Sequence, residues 1–270
     1  MLTFQQGTKI VIDDGSDKYE LLIGSGTATQ TFVEAIQNVK TIHNPYLVER
    51  AFSTEKSVVN LSFDCHIAKD DIILSWFGIN GIIDFLNTSI EFYDVYIVAA
   101  GTTYKLANCI GQNISFKISR KDVLTASITA VAPDIVIVPN DTIVAIPQQP
   151  FYNSTVIIDN FPRLESVSCE VTRSITWAGK KSLFDIGSIY TAKNAILESM
   201  AISGSITQNK VDDSDTSTSE FTPVRITYGD SFEINLAACN TTSRWDMASI
   251  HKKITEYKVQ PYAVNSFIKF

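Results

Sequence analysis

The sequence predicts a mainly β protein made of two tandem β-sandwich or partial-barrel domains, each with a short flanking α-helix. Three observations predict it. Apolar and polar residues alternate with a period of two along much of the chain, a weak internal similarity recurs at an offset of about 130 residues, and prolines cluster near the middle. With 270 residues, 45% of them hydrophobic, the chain is long enough for each half to bury a core.

Four segments show the alternation clearly. In the first, Val59, Leu61, Phe63, Cys65 and Ile67 are apolar, and the residues between them are polar. The same pattern covers 113–119, 166–174 and 231–238. Alternation of this kind is typical of strands with one packed face and one solvated face.

A short helix is predicted over 72–77. Asp70 or Asp71 is placed to cap its start, and Gly78 is placed to end it.

The second predicted helix is C-terminal. Ser243-Arg-Trp-Asp246 has the spacing of a capping box, and apolar residues follow at helical intervals through Tyr257. We therefore expect a helix from about Arg244 to Lys258.

The repeat and the prolines predict the domain organisation. The segment from Val95 to Cys109 is similar to that from Val224 to Cys239, and Ser-Arg-x-Asp follows each one, at 119–122 and 243–246. Four prolines lie between 133 and 150. The sequence thus predicts a first domain at 1–135, a proline-rich connector at 136–153 and a second domain at 154–270.

Composition and motifs narrow the functional classes. A net charge of −7 argues against a protein that holds nucleic acid by neutralising phosphates. The four cysteines are far apart, and no zinc, nucleotide-binding or nucleophile motif occurs. Gly24-Ser25-Gly26 is interpreted as a turn. We expect no catalysis, no cofactor and no metal.

These features together resemble the tail tube proteins of long-tailed bacteriophages. The resemblance rests on one-sided polar strands, the long polar segments between strands, and the repeat. The phrases Cys109-Ile-Gly-Gln-Asn-Ile-Ser-Phe-Lys-Ile-Ser-Arg-Lys-Asp-Val-Leu124 and Val167-Ser-Cys-Glu-Val-Thr-Arg-Ser-Ile-Thr-Trp177 carry most of it. Phe4-Gln-Gln-Gly-Thr-Lys9 and Thr41-Ile-His-Asn-Pro45 are similar to structural proteins of cyanobacterial or marine myoviruses.

The resemblance implies two tail-tube-like domains in a homo-oligomeric virion protein, assembled in the host cytoplasm. Inner sheets would join into a continuous barrel, in hexameric rings or, for a duplicated chain, trimeric pseudo-hexameric rings. The rings would stack into a conduit for DNA ejection, without tight DNA binding, and would contact sheath, baseplate and terminator proteins. An acidic lumen would repel DNA.

The resemblance also suggests roles for individual residues. The lumen candidates are Ser62, Asp64, Ser168, Glu170, Ser203 and Ser205, while Lys117 departs from an acidic lining. The loops 39–56 and 178–194 are ring-stacking candidates, with charges at Glu49, Arg50, Glu55, Lys180, Lys181 and Lys193. The subunit-contact candidates are Arg120, Asp122, Trp177, Arg244 and Asp246, although helix capping is a simpler role for Asp246.

Three alternatives stay open. A tube-like baseplate or hub ring of a contractile tail would show the same strand pattern. A transmembrane β-barrel porin would explain the alternating strands and the final Phe270, but not a C-terminal helix. A β-sandwich carbohydrate-binding module would be expected to show clustered exposed aromatics, which the sequence lacks.

Overall fold

Strands form nearly all the regular structure. The computed structural model describes residues 2–4, 7–41, 44–67, 72–86, 89–119, 124–139, 143–147, 156–158, 163–177, 195–209, 222–228, 232–246, 252–260 and 265–269. In the first half the strands are β1 (Leu2–Thr3), β2 (Lys9–Asp13), β3 (Lys18–Thr29), β4 (Phe32–Thr41), β5 (Asn44–Lys56), β6 (Val59–His66), β7 (Gly81–Ile82), β8 (Tyr93–Ala99), β9 (Thr102–Ser119), β10 (Thr125–Ala132), β11 (Val136–Val138) and β12 (Ile146–Pro147). The second half contributes β13 (Val156–Ile158), β14 (Leu164–Trp177), β15 (Ala195–Asn209), β16 (Thr222–Tyr228), β17 (Phe232–Asp246), β18 (Lys252–Val259) and β19 (Phe267–Lys269). The mainly β prediction is confirmed.

Six antiparallel strands of the first half close a barrel. Its order is β10-β6-β3-β2-β8-β9, and β9 pairs back onto β10. The alternating apolar residues fill the interior, and Ile10, Phe63, Val95 and Ile97 are all buried. Alternation along β6 is complete, with every odd residue from Val59 to Cys65 buried and every even one exposed.

The second half continues this sheet. From β9 the order runs β14-β15-β18-β17-β16-β13, and all of these pairings are antiparallel. The apolar faces of both halves belong to one core, in which the rings of Phe116 on β9 and Phe232 on β17 lie 5.8 Å apart.

The predicted repeat is present in the strand register. Tyr93 faces Cys109 and Val95 faces Leu106 across β8 and β9, with a bulge between the two pairs. Across β16 and β17, Thr222 faces Cys239 and Val224 faces Leu236, again with a bulge between them. Equivalent residues are thus 129 or 130 positions apart. The domain boundaries themselves stay a prediction.

Helix α1 (Ile72–Trp76) confirms the first predicted helix, and Gly78 follows it with a φ of +65°. The proposed caps Asp70 and Asp71 lie outside the described residues. Trp76 is fully buried and its Nε1 donates to the Cys109 carbonyl. No helix in the described ranges is long and apolar enough to cross a membrane.

The C-terminal helix prediction is wrong. Residues through Asp246 complete β17, and Lys252–Val259 form β18, which pairs on one edge with β15 and on the other with β17. The period-two pattern was disguised because Ile254 lies on the less buried side while the buried side carries Thr255, whose Oγ1 is 2.9 Å from Ser243 Oγ. Hydrogen bonding along both edges outweighs the local helical spacing.

Three other predictions need correction. Gly24-Ser25-Gly26 lies inside β3 at a bulge after Ile23 and is not a turn. The first predicted stacking loop, 39–56, is mostly strand, since β4 and β5 pair as a hairpin. Parts of the predicted connector also form strands, because β11 pairs with β9 and β12 with β3.

Candidate functional site

The solvent side of eight consecutive strands forms one continuous surface, which we call the polar face. It spans β3, β6, β10, β9, β14, β15, β18 and β17. Residues directly opposite each other share a face of a sheet, so the register traces a row across it. That row runs through Ser25, Asp64, Ser127, Ser115, Glu170 and Ser203.

All six predicted lumen residues lie on the polar face. Ser62 and Asp64 are exposed on β6, and the other four are half-buried on β14 and β15. Ser168 and Ser205 face each other, and their hydroxyls are 2.9 Å apart. The structure therefore brings the six residues together; their lining a lumen stays a prediction.

Side chains on the polar face form hydrogen bonds with side chains on adjacent strands. Asp64 accepts hydrogen bonds from Ser25 Oγ at 2.9 Å and Ser127 Oγ at 2.6 Å, each from an adjacent strand. Glu170 accepts one from Asn113 Nδ2. These bonds fix the carboxylates in place, as hydrogen bonds to charged groups are among the stronger ones.

The polar face carries charges of both signs. Lys117 lies opposite Ser168, Glu256 opposite Ser205, and Lys258 opposite Ser203. The face is therefore rich in hydroxyls with scattered carboxylates and ammonium groups, and it includes Lys117, the residue expected to depart from an acidic lining.

The pairing of β9 with β14, which we call the junction, joins the two halves. It runs from Ser166 opposite Ser119 to Thr172 opposite Asn113. The next residue, Arg173, is 2% exposed, and its guanidinium donates to the carbonyls of Trp76 and Gly111, each at 3.3 Å. Burial lowers the pKa of Arg173 from its usual value, and its Nε finds no partner within the described residues. One buried cation thus ties β14 to α1 and β9.

Two glycines allow close packing on either side of the junction. The ring of Phe77 lies where a Cβ on Gly111 would sit, within 2.7 Å. On Gly204 a Cβ would overlap the Ser168 carbonyl and the Tyr257 hydroxyl. Tyr257 uses that space to donate to the Ser168 carbonyl at 2.8 Å. Neighbouring atoms therefore leave no room for a larger residue at either position.

The repeat makes β17 the equivalent of β9. On β9 the edge opposite β10 is taken by β14 over 113–119. On β17 the edge opposite β18 over 240–246, which we call the far edge, has no strand paired to it among the described residues.

The same register makes β3 the equivalent of β14. Tracing the pairings outward from β9 and from β17 places Thr27 at the position of Ser168, and Thr29 at that of Glu170. Within the part of the chain that the structure describes, β1 alone covers the stretch of β3 that corresponds to the junction edge of β14, with Leu2 facing Ala28 and Thr3 facing Thr27.

The other predicted site residues fall in three groups. Glu49, Arg50 and Glu55 lie on β5, paired with β4. Arg244 lies on β17 as an exposed side chain 3.2 Å from Glu256, Asp246 ends that strand and so caps no helix, and Trp177 ends β14. Arg120, Asp122, Lys180, Lys181 and Lys193 lie outside the described residues.

Several residues of the site were missed by sequence reasoning. Asn113, Ser115 and Ser127 lie on strands whose alternation was already visible, so their place on the polar face could have been inferred. Ser25 was not identified as a residue of the polar face because the two flanking glycines suggested a turn. Arg173 was missed although the alternation of Val167, Cys169 and Val171 places position 173 on the packed side of the strand, because a cation is ordinarily solvated.

The structure combines a packed barrel, a wide polar sheet and a strand edge on β17 that has no strand paired to it among the described residues. In line with this, the chain matches the model of the Bacteriophage Baseplate Tube Protein Family over residues 3–268. It belongs to that family, and is a structural tube component of a phage tail or baseplate. No curated protein matches the chain.

Proposed function

We propose that copies of this chain pair edge to edge into a closed ring whose polar faces form the lumen of a phage tube. The far edge of β17 in one copy would pair with the β3 edge of the next. The junction is the observation that supports this proposal. In the junction β9, the equivalent of β17, already pairs with β14, the equivalent of β3, inside a single chain. Closure leaves no free sheet edge in the ring.

A ring of three copies would have a lumen of suitable diameter for duplex DNA. Each chain contributes the eight strands of the polar face, so three copies make a barrel of 24 strands. With strands about 4.8 Å apart and tilted by about 40°, its backbone diameter is roughly 50 Å. Such a lumen is wide enough for duplex DNA, whereas the lumen of a two-copy ring is narrow once side chains are included.

The chemistry of the polar face suits the passage of DNA. Hydroxyls that already bond to Asp64 or to another hydroxyl offer little to phosphates, and the carboxylates of Asp64 and Glu170 repel phosphates. Tight binding would need clustered Lys and Arg that release counterions. We assign the chain a conduit role without catalysis.

Rings would stack through the β4–β5 hairpin and the 178–194 segment and would contact sheath, baseplate or terminator proteins. A repeating tail tube subunit and a single baseplate ring need the same ring contacts. The copy number per virion separates these two placements.

Assembly is tested by negative-stain electron microscopy and mass photometry without detergent over a concentration series. The proposal expects annular rings with the mass of three copies, and short stacks at high concentration. A monomer at every concentration, or protein that stays soluble only in detergent, would contradict it.

The lumen assignment is tested by a double Asp64→Lys and Glu170→Lys variant, built into the phage that encodes this chain. Rings should still form, while DNA delivery should fall because cations would hold the phosphates. Asp84→Lys is the matched control, as Asp84 is an exposed carboxylate outside the polar face. Equal infectivity of the two variants would contradict the lumen assignment.

A further inference from the structure

The first strand covers the edge on which the proposed ring depends. β1 makes two register pairs with β3, at Ala28 and Thr27, and Phe4 N–H donates to the Gly26 carbonyl at 2.9 Å. The ring of Phe4 lies against Gly26 and Phe63, in the space that a side chain on residue 26 would occupy.

The cover is short compared with the strand that would replace it. The junction has seven register pairs, from Ser166 to Thr172, against two for β1. The other strand on the same edge of β3, β2, pairs lower down, at 18–21, and does not overlap the junction position. A strand as long as the far edge of β17 therefore offers more register pairs than β1, and displacing β1 also withdraws the Phe4 ring from the core on which it packs.

We propose that β1 is a displaceable cover and that β17 of a second copy replaces it on β3 when the ring closes. Transferring the junction register places Thr29 opposite Arg244 and Thr27 opposite Asp246 of the second copy. Until then β1 blocks an edge that would pair with any exposed strand. The inference rests on the proposed ring and adds a step that controls its assembly.

A disulfide can lock the cover in place. Because the Phe4 N–H bonds to Gly26, the pair Thr3 and Thr27 is in the non-hydrogen-bonded position, where side chains come closest. The four native cysteines are buried and free, so they do not compete. The test variant is Thr3→Cys with Thr27→Cys.

The oxidised variant should remain monomeric at concentrations where the wild type forms rings, and a reductant should restore the rings. The control is Asp13→Cys with Lys18→Cys, which staples β2 to β3 and leaves the Thr27 edge free. Oxidised, this control should assemble like the wild type.

A second variant acts in the opposite direction. Phe4→Ala weakens the cover by removing its ring, so rings should form at a protein concentration about tenfold lower. Since this change leaves β17 untouched, it separates the cover from the far edge.

The outcomes distinguish the two proposals. Rings from both the wild type and the oxidised Thr3→Cys, Thr27→Cys variant would mean that β1 stays in place, which overturns the cover while leaving the ring proposal intact. No rings from the wild type would overturn the ring proposal and this inference with it.

Discussion

β9 and β17 are equivalent strands with different neighbours. Each pairs through its first part with the preceding strand, β8 or β16, and through its last part with the following one, β10 or β18. On β9 the remaining edge carries β14, whereas on β17 no strand among the described residues takes that place. Among the described residues, the contact that β9 makes with β14 therefore has no counterpart on β17.

The surroundings of β14 and β3 also differ. Arg173 bonds β14 to β9 and α1, and on the opposite edge of β14 the Tyr257 hydroxyl donates to the Ser168 carbonyl beside Gly204. Among the described residues, the β3 edge has β1 and Phe4 in the corresponding place. The same strand register is thus filled by seven pairs at the junction and by two pairs on β3.

The largest effect is expected from Gly204→Ala. The added methyl would overlap the Ser168 carbonyl and the Tyr257 hydroxyl, so backbone on the β14 side must shift. The free energy of unfolding in urea should fall by about 3 kcal/mol or more. Gly24→Ala, inside β3, is the control, because its methyl would come no closer than 3.9 Å, to the Asp64 carbonyl. Its cost should stay within about 0.5 kcal/mol, and equal costs would mean that β14 is no more tightly held than β3.

A smaller loss is expected from Arg173→Ala. The change removes two hydrogen bonds at the junction and leaves the buried carbonyls of Trp76 and Gly111 short of a donor. We expect a loss of about 2–3 kcal/mol in urea unfolding. Arg225→Ala removes a half-exposed arginine that pairs with Glu233, and should cost less than about 1 kcal/mol. If the two variants unfolded alike, Arg173 would not stabilise the junction.

The smallest expected effect is on the pH dependence of stability, and it depends on Tyr93. The second repeat has Thr222 at the equivalent position. Burial chiefly, with the nearby Glu91, raises the pKa of Tyr93 from 10.0 to about 12. The folded state then keeps a proton that the unfolded chain loses above pH 10, so this stabilisation is present below pH 10 and is lost as pH rises to about 12. Urea midpoints at pH 9 to 12 should fall less steeply for Tyr93→Phe than for the wild type. Identical slopes would exclude Tyr93 as a source of alkaline sensitivity.

Much of the fold followed from local patterns. The alternation of apolar and polar residues predicted the buried faces of β6, β9 and β14. A strand with one solvent-exposed face shows this period of two whichever strands it pairs with. The repeat was also visible, since Cys109 and Cys239 follow similar segments. Those same rules placed Asp64 and Glu170 on solvent-facing strand positions.

What failed depended on long-range pairing. β18 has helical spacing at Ile254 and Tyr257, and only its pairing with β15 and β17 makes it a strand. Gly24 and Gly26 suggest a turn locally, yet Gly26 is needed because Phe4, distant in sequence, packs against it. The far edge of β17 could not be predicted either, because a free edge is defined by what does not pair with it.

The most direct test of the account is a cross-link between copies in the register of the junction. Thr29→Cys with Arg244→Cys places one cysteine on each edge, at positions equivalent to Glu170 and Ser115, which face each other in β14 and β9. On oxidation, non-reducing electrophoresis should show covalent dimers and trimers and nothing larger. Thr29→Cys with Asn240→Cys is the control, displaced by four residues or about 13 Å along β17, and it should stay monomeric. Monomers from both pairs, or equal ladders from both, would contradict a ring closed by β17 on β3.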